Sequence, residues 1–227
     1  MIDLLLVPQG VEYEAVCRGV RGMANPPPVW PVAAGAAIGR SLAQLHQTGV
    51  LQSGQSVVLL GLCGALVPEL AVGTRVLYRD CRAIAGGQVT GRWLCDRDLT
   101  TAMQQQLGLA LVEAVTCDRV VSTVAAKHDL AQQFAAQVVD MEGAVALASL
   151  TALGIRVAMV RVVSDGSDRD IPDLTNVFTA DGELQPLALT MALLRQPVPA
   201  FHLIRGSLSS LKILQALTTD LFKNRYT

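Results

Sequence analysis

The stretch IRVAMVRVVSD, residues 155–165, is rich in β-branched side chains and ends on the polar pair Ser164 and Asp165. Such a run predicts a strand that is buried on both faces in the central sheet of an α/β protein. Ligands of these sheets usually bind at the carboxyl ends of the strands. We therefore expect this strand to carry Ser164 and Asp165 to a binding site. A Ser-Asp pair followed by Gly166 is also an ordinary turn signature, so the pair alone leaves both interpretations open.

The length and composition favour one large domain. The chain has 227 residues, a usual size for an undivided α/β domain, and no internal repeat or low-complexity linker marks a boundary. Hydrophobic residues make up 51% and charged residues 16%, a balance that favours a sheet covered by helices on two sides. We predict a single three-layer α/β domain over residues 1–227, with a central mixed sheet flanked by helices.

The charge and the cysteines exclude several classes of partner. The net charge is -1, from 18 Lys and Arg against 19 Asp and Glu, so neither nucleic acid nor an anionic membrane is a predicted partner. The apolar stretch at residues 57–67 is interrupted by Gly61 and Gly64 and falls well short of the ~20 residues of a membrane span. The start, MIDLLLVPQG, lacks a basic region and a cleavage pattern, so we expect a soluble, cytoplasmic chain. Five cysteines without a CxxC pair or zinc-ligand spacing predict reduced, mostly structural thiols and no metal site.

Hydrophobic patterning along the chain predicts alternating strands and helices. We predict strands over residues 2–7, 56–60, 74–78, 81–85, 110–115 and 155–165. We predict helices over residues 11–18, 36–46, 185–195 and 208–222, a short one before residue 110, and a very apolar one after residue 142. The segment NPPPVWP (25–31) reads as a break, and GLCGAL (61–66) reads as a glycine-rich turn.

Two carboxylates stand at the mouth of the apolar run VVDMEGAVALASL, residues 138–150. Isolated carboxylates are expensive to bury, so Asp140 and Glu142 need a partner or a task. Asp140 is well explained as a helix N-cap that accepts a backbone N–H. Glu142 is less well explained by its position near the helix terminus, because Val145, Ala146 and Ser149 lie along the same face and imply close packing. We therefore predict a functional Glu142.

The glycine-rich segment 61–66 offers a third candidate. The backbone amides of Gly61, Leu62, Cys63 and Gly64 could approach an anion or a sugar closely. A tight turn that needs glycine for its dihedral angles explains the segment equally well. Cys63 is better read as a packing residue than as a nucleophile, because no basic residue is adjacent to lower its pKa.

Five segments occur in the order known from one enzyme superfamily. They are LLLVPQGVEYEAV (4–16), LLGLCGALVPELAVGTRV (59–76), CDRVVST (117–123), VVDMEGAVALA (138–148) and VRVVSDGSD (160–168). The series resembles the nucleoside phosphorylase and nucleosidase superfamily, which contains purine nucleoside phosphorylases, uridine phosphorylases and methylthioadenosine/adenosylhomocysteine nucleosidases. The resemblance implies a nucleoside phosphorylase-like fold, a glycosyltransferase-type enzyme that cleaves the N-glycosidic bond of a purine nucleoside, and a homo-oligomer.

The resemblance also assigns roles to the polar residues. Cleavage of an N-glycosidic bond makes the ribose oxocarbenium-like and pushes electrons onto the base, so an acid is needed at the base and negative charge near the sugar. By resemblance, Asp165 protonates or hydrogen-bonds the purine at N7 and is oriented by Ser164. Glu142 accepts the ribose hydroxyls, and Met141 packs against the sugar face.

Three further residues receive roles from the same resemblance. Glu12 falls where the nucleosidase branch carries the glutamate that activates the attacking water, although a solvated residue in a first helical turn is the alternative. Val120 stands where nucleosidases stack an aromatic residue on adenine, and the backbone of Val121 could read the base edge.

Lys127 and Asp129, which follow this segment, are predicted to form the solvated start of a helix.

The choice between phosphate and water as the attacking group stays open in the sequence. Purine phosphorylases hold phosphate with an Arg and a Ser where this chain has Leu59 and Leu62, and nucleosidases also tend to use Ser at the second position. Residues 117–130 and 170–217 look like the hopanoid-associated phosphorylases, which release adenine from adenosylhopane. This likeness predicts phosphorolysis of a 5'-substituted adenosine, with phosphate as co-substrate and no other cofactor. The alternatives are a hydrolytic nucleosidase and a noncatalytic nucleoside-binding member.

Overall fold

The computed structural model describes residues 1–174, 177 and 185–223. Within them, eight strands form one mixed sheet: β1 Leu4–Pro8, β2 Val29–Val32, β3 Ser56–Ala65, β4 Arg75–Ala85, β5 Gln88–Leu94, β6 Ala110–Cys117, β7 Val138–Asp140 and β8 Arg156–Asp165. The α-helices are α1 Val11–Val20, α2 Ile38–Gln47, α3 Arg97–Leu107, α4 Val124–Phe134, α5 Gly143–Ala152, α6 Pro186–Arg195 and α7 Pro197–Lys223. A short 3-10 helix, Gly35–Ala37, precedes α2. The predicted α/β class with a mixed sheet is confirmed.

Strand β8 lies at the centre of the sheet, as its β-branched sequence predicts. It pairs in parallel with β3 over nearly its whole length and antiparallel with the start of β4. Strand β3 also pairs with β1 and β7, while β6 joins β7 to β4, so that β3, β8, β4, β6 and β7 close into a ring. The carboxyl ends of β3 and β8 therefore lie side by side, which brings two of the predicted motifs together.

Helices cover both faces of the sheet. Along β1, Leu4 and Leu6 face the core that contains α2 and α5, whereas Leu5 and Val7 face the core that contains α1, α3 and α7. A strand buried on both faces must be apolar at every position, which explains the continuous run at the amino terminus. The predicted three-layer arrangement follows from this packing.

Several predicted elements need correction. The segment NPPPVWP is not only a break, because its second half forms β2 beside β1. Pro31 is tolerated there because β2 is an edge strand and need not donate from every residue. The two strands predicted over residues 74–85 are one strand, β4, with a bulge between Tyr78 and Asp80. Its hairpin partner β5 was not predicted, because its polar and glycine-containing sequence lacks a buried face.

The two carboxy-terminal helices are confirmed, and the second is longer than predicted. Helix α7 begins at Pro197, eleven residues before the predicted start, and buries one face of its second half against the sheet. No helix of the described chain is by itself long and apolar enough to cross a membrane, whereas Leu187–Arg195 and Pro197–Lys223 meet the length and composition criteria as a pair bent by 119°.

Candidate active site

A cleft of about 250 Å³ opens where the carboxyl ends of β3 and β8 meet the junction between β7 and α5. Ten of the eleven predicted site residues line it: Glu12, Leu62, Cys63, Gly64, Val120, Val121, Met141, Glu142, Ser164 and Asp165. Gly61 is not among the lining residues, because it lies behind them against Arg161. Segments that are distant in the sequence therefore converge on one site, as the in-order motifs predict.

Glu12 is turned toward the interior from the first turn of α1. Its Oε1 accepts a hydrogen bond from the Leu62 backbone N–H at 2.6 Å. Burial, with the nearby Glu142 as a second cause, raises the pKa of Glu12 to about 7, against a smaller opposing effect of Arg161. The alternative of a solvated helix residue is wrong for the carboxylate, although the residue as a whole is only half-buried. A carboxylate with this pKa is partly ionised at neutral pH and is suited to accept a proton.

Glu142 is held by a residue that the sequence did not mark. Its Oε1 accepts a hydrogen bond from the backbone N–H of Gly35, in the 3-10 helix after β2, at 2.8 Å. Burial and the neighbouring Asp140 raise the pKa of Glu142, while Arg161 lowers it. Glu142 as a whole residue is 9% exposed, and it lines the cleft. Its carboxylate therefore borders the space that a ligand would occupy.

Asp140 has the structural role that was predicted for it. Its Oδ1 accepts hydrogen bonds from the Thr116 hydroxyl at 2.6 Å and from the backbone N–H of Gly143, the first residue of α5, at 3.1 Å. Its Oδ2 lies 3.5 Å from the Nη2 of Arg161. Asp140 thus caps the helix and anchors a buried cation.

Arg161 is a site residue that the sequence reasoning missed. It projects from the middle of β8, is fully buried, and none of its guanidinium nitrogens has a hydrogen-bond partner among the described residues. Burial lowers the pKa of Arg161, but Asp140, Tyr78, Glu142 and Glu12 together raise it above the ordinary value. The signal was present, because a lone arginine inside a β-branched, doubly buried strand is as costly as a buried carboxylate and needs the same explanation.

Asp165 is paired with a second buried cation. The Lys127 Nζ donates to Asp165 Oδ2 at 2.5 Å and to the Gly166 carbonyl at 2.7 Å. The Ser164 hydroxyl donates to Asp165 Oδ1 at 2.8 Å, as the predicted orienting role requires. The prediction of a solvated Lys127 is wrong, because Lys127 is fully buried, whereas Asp129 is exposed. Lys127 lies seven residues before the buried Phe134 and therefore on the inner face of α4.

The glycines at 61 and 64 make room for these charges. The prediction of a glycine-rich turn is wrong, because β3 continues through Ala65 and neither glycine has a positive φ. A Cβ at position 61 would collide with the Arg161 guanidinium, and one at position 64 would lie 2.9 Å from Asp165 Oδ2. The amide of Leu62 is already bonded to Glu12, so this segment does not offer that N–H to an anion.

We expect Gly61→Ala to destabilise the protein by about 2 kcal/mol or more, because the added methyl group must displace a buried guanidinium. It should also disturb Glu12, whose Oε1 would lie 3.0 Å from the new Cβ. Gly39→Ala is the matched control, since its Cβ meets only Val145 at 3.4 Å in a helix that favours alanine. Thermal unfolding of both variants measures the difference, and equal unfolding temperatures would contradict this account.

The remaining lining is largely apolar. Val120 and Val121 line the cleft and also a neighbouring space of about 660 Å³. Met141, which stands between Asp140 and Glu142 in the chain, lines the cleft as well. Cys63 is buried, and burial raises the pKa of its thiol, so it packs as a neutral side chain rather than as a thiolate. The lining of the cleft therefore combines carboxylates with apolar side chains.

The charges of the site divide into two kinds. Asp140 and Asp165 each have a cation of their own, Arg161 and Lys127, whereas Glu12 and Glu142 share the field of Arg161 without a direct ion pair. The arrangement offers a proton acceptor of pKa about 7 and a carboxylate that faces the cleft. It can accept a proton and stabilise positive charge that develops between the carboxylates.

Comparison with known proteins places this arrangement in a family. Residues 5–194 match the model of the Phosphorylase superfamily. The fold is similar to the native structure of futalosine hydrolase of Helicobacter pylori, with 15% identity, a TM-score of 0.66, and coverage of 94% of this chain and 95% of that one. It is also similar to the MTA/SAH nucleosidase of Streptococcus pneumoniae in complex with 8-aminoadenine, with 16% identity, a TM-score of 0.62, and coverage of 95% and 100%. A search of curated protein sequences finds no significant match.

Proposed function

The chain belongs to the Phosphorylase superfamily, and from this premise we propose that it cleaves the N-glycosidic bond of a purine nucleoside, with water as the attacking group. The observation that carries the proposal is Glu12: a carboxylate with a pKa of about 7 that faces the cleft beside a buried guanidinium. The similar folds of a futalosine hydrolase and an MTA/SAH nucleosidase are compatible with it. The proposed step uses only side chains and water.

The attack on the sugar is assigned to Glu12 and Glu142. Glu12 takes a proton from water as the water approaches the anomeric carbon, which its pKa near neutrality allows. Glu142 accepts the ribose hydroxyls, and its negative charge stabilises the oxocarbenium-like sugar. Arg161 favours the ionised form of both carboxylates, because its charge lowers their pKa values against the effect of burial.

The departure of the base is assigned to Asp165. The purine gains electron density at N7 as the bond breaks, and Asp165, in its protonated form, donates a hydrogen bond or its proton to that atom and is left as the carboxylate. Lys127 then stabilises the carboxylate that remains after the transfer. The Ser164 hydroxyl holds the other carboxylate oxygen in place.

The electrostatics of the cleft favour water over phosphate. Glu12 and Glu142 line the cleft without an ion pair of their own, whereas Arg119 is its one lining cation among the described residues. A phosphate dianion would enter against this charge and would find the Leu62 amide already occupied by Glu12. The likeness to the hopanoid-associated phosphorylases still predicts phosphorolysis, which is therefore the second candidate reaction.

The apolar part of the lining supports a substrate with an apolar group at the 5' position. Leu62, Met141, Ile171, Leu174 and Leu203 line the cleft around the sugar-binding carboxylates. Such a surface gains affinity from an alkyl or thioalkyl substituent through burial of apolar area, by about 25 cal/mol per Å². A 5'-substituted adenosine, of which adenosylhopane is the lipid example, is the proposed substrate class.

The test is release of adenine from adenosine, 5'-methylthioadenosine and adenosylhopane, each with and without phosphate, together with identification of the sugar product. We expect release without phosphate and a free sugar. Release that requires phosphate and yields a sugar 1-phosphate would establish the second candidate instead. Binding of the nucleosides without release under either condition would identify a noncatalytic member and overturn both.

The pH dependence of kcat/KM should report Glu12. Only the ionised carboxylate can accept a proton, and its pKa is about 7, so the rate should rise by about tenfold per pH unit below pH ~7 and level off above it. Glu12→Gln should remove this limb and lower kcat by about 10²-fold to 10³-fold. The matched control is Glu14→Gln, whose side chain on the same helix is 66% exposed and pairs with Arg18. A profile that keeps its acid limb in Glu12→Gln would contradict the assignment.

A further inference from the structure

The charges of the chain are unevenly distributed, although they nearly cancel overall. Residues 186–219 contain no Asp or Glu, while they contain Arg195, Arg205 and Lys212. All three basic side chains are exposed. The net charge of -1 that argued against an anionic partner therefore conceals a segment, over α6 and most of α7, whose few charged residues are all basic.

The same segment exposes large apolar side chains. Half of the fourteen exposed large hydrophobic residues in the described chain lie between residues 187 and 208, and each is between 46% and 83% exposed. They form what we term the α6–α7 face: Leu187, Met191, Leu194, Val198, Phe201, Ile204 and Leu208. Single exposed apolar residues are normal, but seven of them on two consecutive helices indicate an interaction surface.

Helical geometry separates this face from the part of α7 that holds the fold together. Phe201 and Leu208 are seven residues apart, and Arg205 and Lys212 each follow one of them by four, so all four share the outer stripe of α7. The opposite stripe is buried and includes Gly206, Ser210 and Leu217. The helix is thus anchored by its inner side, and the core of the chain makes no use of the outer one.

We propose that the α6–α7 face docks on an anionic lipid surface. Apolar side chains interleaved with Arg and Lys are the composition of helices that lie in the boundary between headgroups and acyl chains, where the cations bind lipid phosphates. A second copy of the chain is a poorer occupant, because a two-fold contact of this face with itself would bring its cations together without an acid from residues 186–219 to pair with them. The homo-oligomer predicted from the sequence would use another surface.

The docked orientation places the candidate active site close to the lipid. Leu203 lines the cleft from α7, while its neighbours Phe201 and Ile204 belong to the outer face. A second space of about 540 Å³, which shares Ser164, Asp165 and Leu203 with the cleft, is also bounded by Arg205. Docking would therefore let an apolar ligand pass between membrane and cleft. The docking proposal itself concerns binding and does not depend on the proposed reaction.

The experiment is cosedimentation of the full chain with vesicles of phosphatidylcholine alone and of phosphatidylcholine containing about one-third phosphatidylglycerol. We expect binding to the anionic vesicles, weakened by added salt. The Phe201→Ser, Leu208→Ser double variant should bind at least tenfold more weakly. The Arg205→Gln, Lys212→Gln double variant should lose about fivefold per residue. Val89→Ser with Leu94→Ser, on the exposed strand β5, is the matched control and should bind as the unmodified chain does.

Three results would overturn the proposal. They are absence of binding to anionic vesicles, binding that the α6–α7 variants leave unchanged, and a dimer without lipid that Phe201→Ser with Leu208→Ser dissociates, which would assign the face to a second copy. Thermal unfolding confirms that each variant is folded. Release of adenine from 5'-methylthioadenosine in solution is measured in parallel, so failure of the proposed reaction is distinguishable from failure of docking.

Discussion

Asp165→Asn is expected to lower kcat by about 10³-fold, because an amide at this position cannot give the departing purine a proton. The substitution nearly preserves the shape of the side chain, and Asn Oδ1 can still accept from Ser164 or Lys127. Binding of a nucleoside should therefore change much less than turnover. Single-turnover release of adenine, with binding followed separately, measures the two effects.

The buried Lys127 complicates this variant and also supplies its control. Asp165→Asn leaves a fully buried ammonium without its ion pair, which is expected to cost about 3 kcal/mol or more of stability. Adding Lys127→Met should recover much of that stability without recovering activity, because the acid is still missing. If the double variant regained turnover, or if Asp165→Asn alone kept kcat within about tenfold, Asp165 would not be the acid.

Arg161→Met is expected to have the largest effect on stability. Arg161 is the fully buried cation that faces Asp140, Glu142 and Glu12, so its removal leaves three carboxylates to repel one another. Loss of one partner from a buried ion pair typically costs about 3 to 5 kcal/mol, which corresponds to a fall in Tm of about 10 °C for a chain of this size. Calorimetry or thermal denaturation measures the change.

The same substitution has a signature that a merely structural role would not produce. Arg161 lowers the pKa of Glu12, so its loss should move the acid limb of kcat/KM upward from pH ~7. Arg161→Lys retains the charge but not the planar guanidinium, and should shift the limb less while still destabilising the fold. Arg156→Met, at the exposed start of the same strand, is the control and should change neither property. An unchanged pH profile in Arg161→Met would remove Arg161 from the proposed mechanism.

Much of the architecture could be predicted because it depends on local patterns. The β-branched run that became β8, the apolar run that became β1 and the amphipathic segment that became α2 each carry the period of their element. Strands β2 and β5 escaped prediction, because their own sequences do not show the pattern of a buried strand and they form only through pairing with neighbouring strands. Strand β2 contains a proline that only an edge position tolerates, and β5 has a polar sequence that is held by pairing with β4.

The candidate site divides in the same way. Glu142 and Asp165 could be identified from the sequence, because each places a charge within or at the end of a strongly apolar segment. Glu12 could be identified only because its segment resembles that of a known family. Lys127 was misread, since a lysine in a helical turn is usually solvated and only its contact with Asp165 reveals its burial. Gly35 carried no signal, because it contributes a backbone N–H whose direction depends on the chain around it.

The sequence by itself determined the class of fold, the order of the motifs and the carboxylates that required an explanation, because burial imposes a pattern of apolar residues on every buried element. Only the tertiary structure decided which cation meets which carboxylate. Asp140 with Arg161 and Asp165 with Lys127 are 21 and 38 residues apart, and their pairing depends on strands and helices that meet across the sheet. The pKa of Glu12 was decided there too, since desolvation and the field of neighbouring charges are properties of the assembled interior and not of a segment.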